Sequence, residues 1–146
     1  MKLKTPLLLC IIALPCIFWI STPVPVGSAQ DTSLQDGLSQ SIDRGKDVYT
    51  TYCISCHQTN GEGLTGVYPP LANSDHLSKD QSGSIIILLK GQQEEITVNG
   101  MKYKLPMAPL NYLTDQQIAD VLNYMGNSWG NKFNAVTPDQ VKSKRD

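Results

Sequence analysis

The sequence predicts an all-α domain, in which a helix near the start and a helix near the end are joined by loops and one small hairpin. Three observations carry this. Ile42, Tyr49, Tyr52 and Cys56 recur at helical spacing. Ile118, Val121, Leu122, Met125 and Trp129 trace a second apolar stripe. Between them, "QTNGEGLTGVYPPLAN" holds three glycines and two prolines, which a long helix does not tolerate.

The chain opens on a segment unlike the rest. Lys2 and Lys4 precede the apolar run Leu7–Ile20, and Gly27-Ser28-Ala29 supplies small residues for cleavage after Ala29. Residues 1–29 therefore read as a secretory signal. The run contains Pro15 and falls short of the roughly 20 apolar residues that span a bilayer. If the segment is retained as an anchor, residues 7–20 give a loose membrane association. No lipobox precedes Cys10 or Cys16. Residues 30–40 are polar, contain Gly37 and read as a flexible lead-in.

Ser41 is the expected N-cap of the first long helix. Gly45 lies within it at a cost of about 1 kcal/mol relative to alanine, which calls for a compensating close approach by another helix. Gln58–Asn73 is a loop. "SGSIIILLK" (82–90) predicts a short helix closed by Gly91. "EITVNGMKY" alternates Ile96 and Val98 around an Asn-Gly turn, a hairpin signature. "KLPMAPLNYL" is a proline-bound loop. Thr114 and Gln117 form a capping box for the last helix. Pro138 suits a first helical position in the tail.

Loss of the signal removes two of the four cysteines and leaves Cys53 and Cys56. It also removes Lys2 and Lys4 while all 13 acidic residues stay, so the mature chain is more acidic than the full chain at −1. That balance does not suit a nucleic-acid partner. The two cysteines stand in "YCISCH", followed directly by His57. On a helix, positions i, i+3 and i+4 share a face, so Cys53, Cys56 and His57 can address one object. A thioredoxin-like disulfide needs its leading cysteine at a helix N-terminus after a strand, whereas Cys53 comes at a helix end. A structural zinc needs four ligands, and only His76 and no second cysteine pair is on offer. Covalent haem c uses both thiols, one per vinyl group, and sets the adjoining imidazole on the iron. The motif thus implies one covalently bound haem, with its iron, on Cys53, Cys56 and His57.

A six-coordinate iron needs a second donor, and Met101, Met107, Met125, His76 or a lysine could supply it. Met125 lies on the core stripe, Met101 beside the hairpin glycine, and His76 at a turn. Pro106 and Pro109 bracket Met107, and a stiff loop can hold a weak thioether in place. Met107 is the expected second axial ligand. Leu71, Tyr68, Ile87, Leu105 and Leu110 are candidates for the haem wall. "GEG" lacks the helix and lysine of a phosphate loop. No nucleophile with a partnered base and no carboxylate pair in a pocket is evident, so no substrate chemistry of its own is expected.

From Ser41 to the C-terminus the chain resembles class I c-type cytochromes, the small mono-haem modules found alone or fused to bacterial periplasmic oxidoreductases. "GKDVYTTYCISCH" resembles the family's first helix, "GEGLTGVYPPLANSD" its proximal loop, "ITVNGMKY" with the following Met107 its axial-methionine segment, and "LTDQQIADVLNYMGNSWGN" its terminal helix. The resemblance implies a cytochrome c fold over 41–146, with Gly45 and Tyr49 of the first helix crossing Val121 and Tyr124 of the last at nearly right angles. It implies a proline carbonyl, Pro69 or else Pro70, that accepts a hydrogen bond from His57. One departure is Ala108, where proline commonly follows the axial methionine. The function implied is periplasmic one-electron carriage between redox protein partners by a His57/Met107-ligated haem. Glu94 and Glu95 form an acidic spot that could orient a basic partner. The alternatives are a five-coordinate haem that senses or binds small ligands, and a dedicated electron-transfer subunit of a larger enzyme.

Overall fold

A computed structural model describes residues 29–145; the expected export signal and its membrane association lie outside the described residues. Six helices run in the order α1 (Ala29–Tyr52), α2 (Ile54–His57), α3 (Asp75–Lys79), α4 (Gln81–Lys90), α5 (Asp115–Gly126) and α6 (Pro138–Lys142). A two-stranded antiparallel hairpin, β1 (Ile96–Val98) and β2 (Met101–Tyr103), stands between α4 and α5. The expected all-α class with a small hairpin is what is found.

The core forms where α1 crosses α5. Val48, Tyr49 and Cys53 of α1 and its end pack with Ile118, Ala119, Val121, Leu122 and Met125 of α5, and α4 adds Ile85, Leu88 and Leu89. Gly45 is the point of closest approach. A Cβ there would run into the carbonyl oxygen of Asp120 and lie 2.8 Å from Tyr124 Cβ, so the helix crossing supplies the compensation that a mid-helix glycine requires.

The start of α1 differs from expectation. Residues 30–40 belong to the helix rather than to a coil lead-in, and Ser41 is inside the helix rather than its N-cap. Residues 34–37 are exposed, Leu34 by 72%, so tertiary burial does not hold that stretch of the extension. Its leucine, glutamine and alanine residues are good helix formers, and they propagate a helix nucleated on the packed turns downstream.

Ser41 instead joins a buried polar group. Its hydroxyl donates to Asp120 at 2.5 Å, Arg44 donates to the same carboxylate through Nε at 2.7 Å and Nη2 at 2.8 Å, and Gln116 adds a fourth bond at 2.8 Å. Burial pushes the Asp120 carboxyl up, but these hydrogen bonds, Arg44's foremost, outweigh it and hold the carboxyl below its ordinary range. Asn123 on the next turn bonds Ser41 and both main-chain groups of Val136, tying the tail to the helix pair.

The other elements follow their local signals. Thr114 and Gln117 cap α5 reciprocally, and Thr137 with Gln140 does the same for α6, whose first residue is Pro138. Asn99 and Gly100 take positive φ (49° and 79°), as a two-residue hairpin turn of this hand requires. Trp129 lies beyond α5, which ends at Gly126; its ring still meets Tyr49 and Tyr124, with centroids 5.0 and 5.3 Å away.

Candidate haem-binding site

The first wall of the site is the end of α1. The helix breaks at Cys53 and resumes as α2, with His57 N–H and Cys56 N–H both bonded to Cys53 carbonyl oxygen, at 2.9 and 3.2 Å. Cys53, Cys56 and His57 consequently line one cavity of about 440 Å³, within the range of sites that enclose a ligand. Two contacts fix the turn that follows. Tyr49 Oη donates to Gln58 carbonyl at 2.7 Å, and Gly63 N–H donates to His57 carbonyl at 3.0 Å.

His57 Nδ1 lies 3.0 Å from the carbonyl oxygen of Pro69, not Pro70. A carbonyl only accepts, so Nδ1 carries the hydrogen and Nε2 keeps its lone pair. Burial pushes the imidazole below its ordinary pKa, against the opposing effect of the Pro69 bond. The ring is thus held neutral and in the tautomer a metal requires. Gly63, at φ +65°, makes the arrangement possible: a Cβ there would lie 2.7 Å from Pro69 O. Burial first, and then Cys56, pushes the Cys53 thiol up to about 12. A thiol so far from ionised is a poor nucleophile.

The wall carrying Met107 is a loop strapped to α4. Gln92 and Met107 exchange main-chain hydrogen bonds at 2.9 and 2.8 Å, and Leu110 N–H donates to Leu88 carbonyl at 2.7 Å. Gly91 does more here than end α4. At φ +78° it abuts the loop so closely that a Cβ would lie 2.5 Å from Met107 O and 3.1 Å from Pro109 N. The half-buried Met107 lines the cavity, as do Met125 and His76, whereas the exposed Met101 does not. Met125, 4% exposed, belongs to the helical core.

All five expected wall residues, Tyr68, Leu71, Ile87, Leu105 and Leu110, line the cavity. Val98 and Tyr103 of the hairpin and Leu88 and Leu122 of the helices, unnoticed in the sequence, line it too. Neither the hairpin's alternation nor the helical stripes say which of these side chains turn toward the cavity. The residues fit covalent haem: two thiols, a neutral imidazole with a free Nε2, a thioether and apolar walls share one cavity.

Half of the expected acidic spot is paired within the hairpin. Glu95 accepts from Lys102 at 2.7 Å and Lys104 at 3.1 Å, which hold its carboxyl below the ordinary range, Lys102 most. Strand register supplies the lysines: with Ile96 opposite Tyr103, Glu95 falls opposite Lys104. Glu95 is thus neutralised by its own hairpin, whereas Glu94 stays exposed beside it.

Known proteins place this geometry. A cytochrome c family profile matches residues 42–129, more than half of the chain. The chain belongs to the cytochrome c family, whose members carry covalently attached haem c with its iron and serve electron transfer. It is 37% identical over 121 residues to cytochrome c-552 of Thermus thermophilus, covering 77% of this chain and 81% of that protein. It is 35% identical to the gluconate 2-dehydrogenase cytochrome c subunit of Pantoea cypripedii, over 69% of this chain and 24% of that subunit. It is 30% identical to the cytochrome c subunit of alcohol dehydrogenase (quinone) from Gluconobacter oxydans, over 60% of this chain and 18% of that subunit. Among the described residues, no helix is long and apolar enough to cross a membrane.

Proposed function

We propose that the chain is a periplasmic one-electron carrier in which Cys53 and Cys56 would attach a single haem and His57 Nε2 and Met107 Sδ would hold its iron. The observation that carries this reading is that His57, pinned by Pro69, and Met107, strapped to Gln92, face the same apolar cavity. The bound haem supplies an iron that cycles between two oxidation states. The protein does the rest. Cys53 and Cys56 anchor the group covalently, and the Pro69 carbonyl keeps the His57 ring oriented and electron-rich. Met107 offers a soft donor that favours the reduced metal, and the apolar walls disfavour the extra charge of the oxidised one. Both raise the potential.

The signal-like start and a cofactor attached through thiols support export to the periplasm. The partners are redox proteins. The likeness to dehydrogenase subunits supports a quinone-linked or sugar-oxidising dehydrogenase as a donor, whether the chain works free or docked.

Visible spectra of the exported protein test the assignment. The oxidised form should show the weak red-region sulfur-to-iron band, and Met107→Ala should abolish it while Met125→Leu leaves it intact. Loss of the band in Met125→Leu instead, or its absence from the native protein, refutes Met107 ligation. A five-coordinate site would bind added imidazole without first displacing a ligand.

A further inference from the structure

We propose that Asn131 is a positioning residue for the iron's proximal ligand: its side chain fixes the Pro69–Leu71 segment that aims His57, and so helps to set the reduction potential. The proposal rests on the assignment of His57 as ligand.

Asn131 is 8% exposed and lies after α5, outside every regular element. Its Nδ2 donates to Leu71 carbonyl at 2.8 Å and to Met125 carbonyl at 2.9 Å, and its Oδ1 accepts from Ser74 N–H at 3.3 Å. Three bonds use the amide's two hydrogens and its oxygen. One end of this bridge is the C-terminal turn of α5, where carbonyls lack helical partners. The other two ends are the residue two beyond Pro69 and the N-cap of α3, which contributes His76 and Leu77 to the cavity wall.

The backbone around Asn131 is shaped for this reach. Trp129 and Gly130 both take positive φ, at 53° and 85°, and turn the chain back toward the proximal loop. The Trp129 ring packs against Gly61, where a Cβ would lie 2.6 Å from it. Gly61 carbonyl in turn accepts from Leu71 and Ala72 N–H groups at 2.7 and 2.9 Å. The peptide groups on both sides of Leu71 are therefore clamped, by Gly61 and by Asn131. Pro69, adjoining the clamped stretch, holds the acceptor for His57 Nδ1.

The consequence is electronic as well as mechanical. A short Nδ1–H···O bond increases the electron density the imidazole gives the iron, which favours the oxidised metal. Loosening the Pro69 carbonyl should weaken that bond and raise the potential. Asn131→Leu removes the bonds to Leu71 and Ser74 at similar volume without adding a charge. Asn123→Ala is the control, because Asn123 is an equally buried amide of α5 whose bonds go to Ser41 and Val136, away from the proximal loop.

The test is spectroelectrochemical titration of the holoproteins, alongside thermal melts and the haem mass and spectrum of each. Asn131→Leu and Asn131→Ala should both shift the redox equilibrium toward the reduced form, by about threefold, a smaller effect than the tenfold or more in metal affinity or activity that follows loss of a ligand's direct hydrogen-bond partner. Asn123→Ala should lower the melting temperature without moving the potential. Unchanged potentials in both Asn131 variants, or an equal shift in Asn123→Ala, overturn the proposal. Wild-type protein lacking haem or its His57 ligation signature would instead overturn the assignment beneath it.

Discussion

Gly45→Ala puts the helix crossing to a test in which two effects carry opposite signs. Helix propensity alone predicts a gain of about 1 kcal/mol, because alanine is the better mid-helix residue. Packing predicts a loss. The added methyl would overlap the Asp120 carbonyl, lie 2.5 Å from its carbon and 2.8 Å from Tyr124 Cβ. Main chain cannot rotate away, so α1 and α5 must separate, and overpacking of this kind costs typically 1–3 kcal/mol. The obstruction is backbone and the displaced residue holds the Ser41–Arg44–Asp120 group, so the upper end applies. After the propensity gain is set against it, a net loss of about 2 kcal/mol remains. For a domain of this size that lowers the melting temperature by about 8 °C. Far-ultraviolet circular dichroism melts of the haem-loaded protein measure it. A melting temperature equal to or above wild type would refute the close approach.

Gly91→Ala should separate the methionine loop from global stability. A left-handed non-glycine residue costs about 1–2 kcal/mol, and its methyl would press on Met107 O; the red-region band should weaken at lower denaturant than the unfolding midpoint. Asp120 predicts an acid limb. Its folded pKa lies below the ordinary 3.8, so as pH falls through that value the unfolded chain takes up a proton that the folded chain still refuses, and stability declines. In Asp120→Asn the decline in urea midpoint between about pH 5 and about pH 3 should be shallower, and an unchanged slope would contradict the bonding described. Leu34→Ala should alter stability by no more than about 0.5 kcal/mol, since that side chain is exposed; a larger loss would mean that this part of the helix packs on the domain.

What could be read from the sequence is what depends on neighbours along the chain. The Cys53–Cys56–His57 face, the Thr114–Gln117 box, the Asn99–Gly100 turn and the prolines around Met107 all state their geometry within a few residues. Asp120, Asn123 and Asn131 do not. Their partners stand far off in sequence, as Arg44 does from Asp120, and a polar residue beside an apolar stripe looks solvent-facing until the partner is known. Ser41 carries a capping residue's chemistry, which here serves a tertiary bond, so its local signal marks a helix start where α1 already continues. Glu95 was legible after all: once the Asn-Gly turn fixes the register, its lysine follows.

The strap that carries Met107 is fastened by peptide groups alone, through Gln92, Leu88 and Leu110. The hydrogen bonds there are main-chain, while Leu88 and Leu110 also pack in the core and Gly91 leaves room for the Met107 carbonyl. Exposed side chains such as Leu105 can therefore be exchanged to make the surroundings oilier or wetter without touching those main-chain bonds. That makes this margin of the molecule a natural dial for retuning the electron's energy, in the laboratory or over generations, without rebuilding the scaffold.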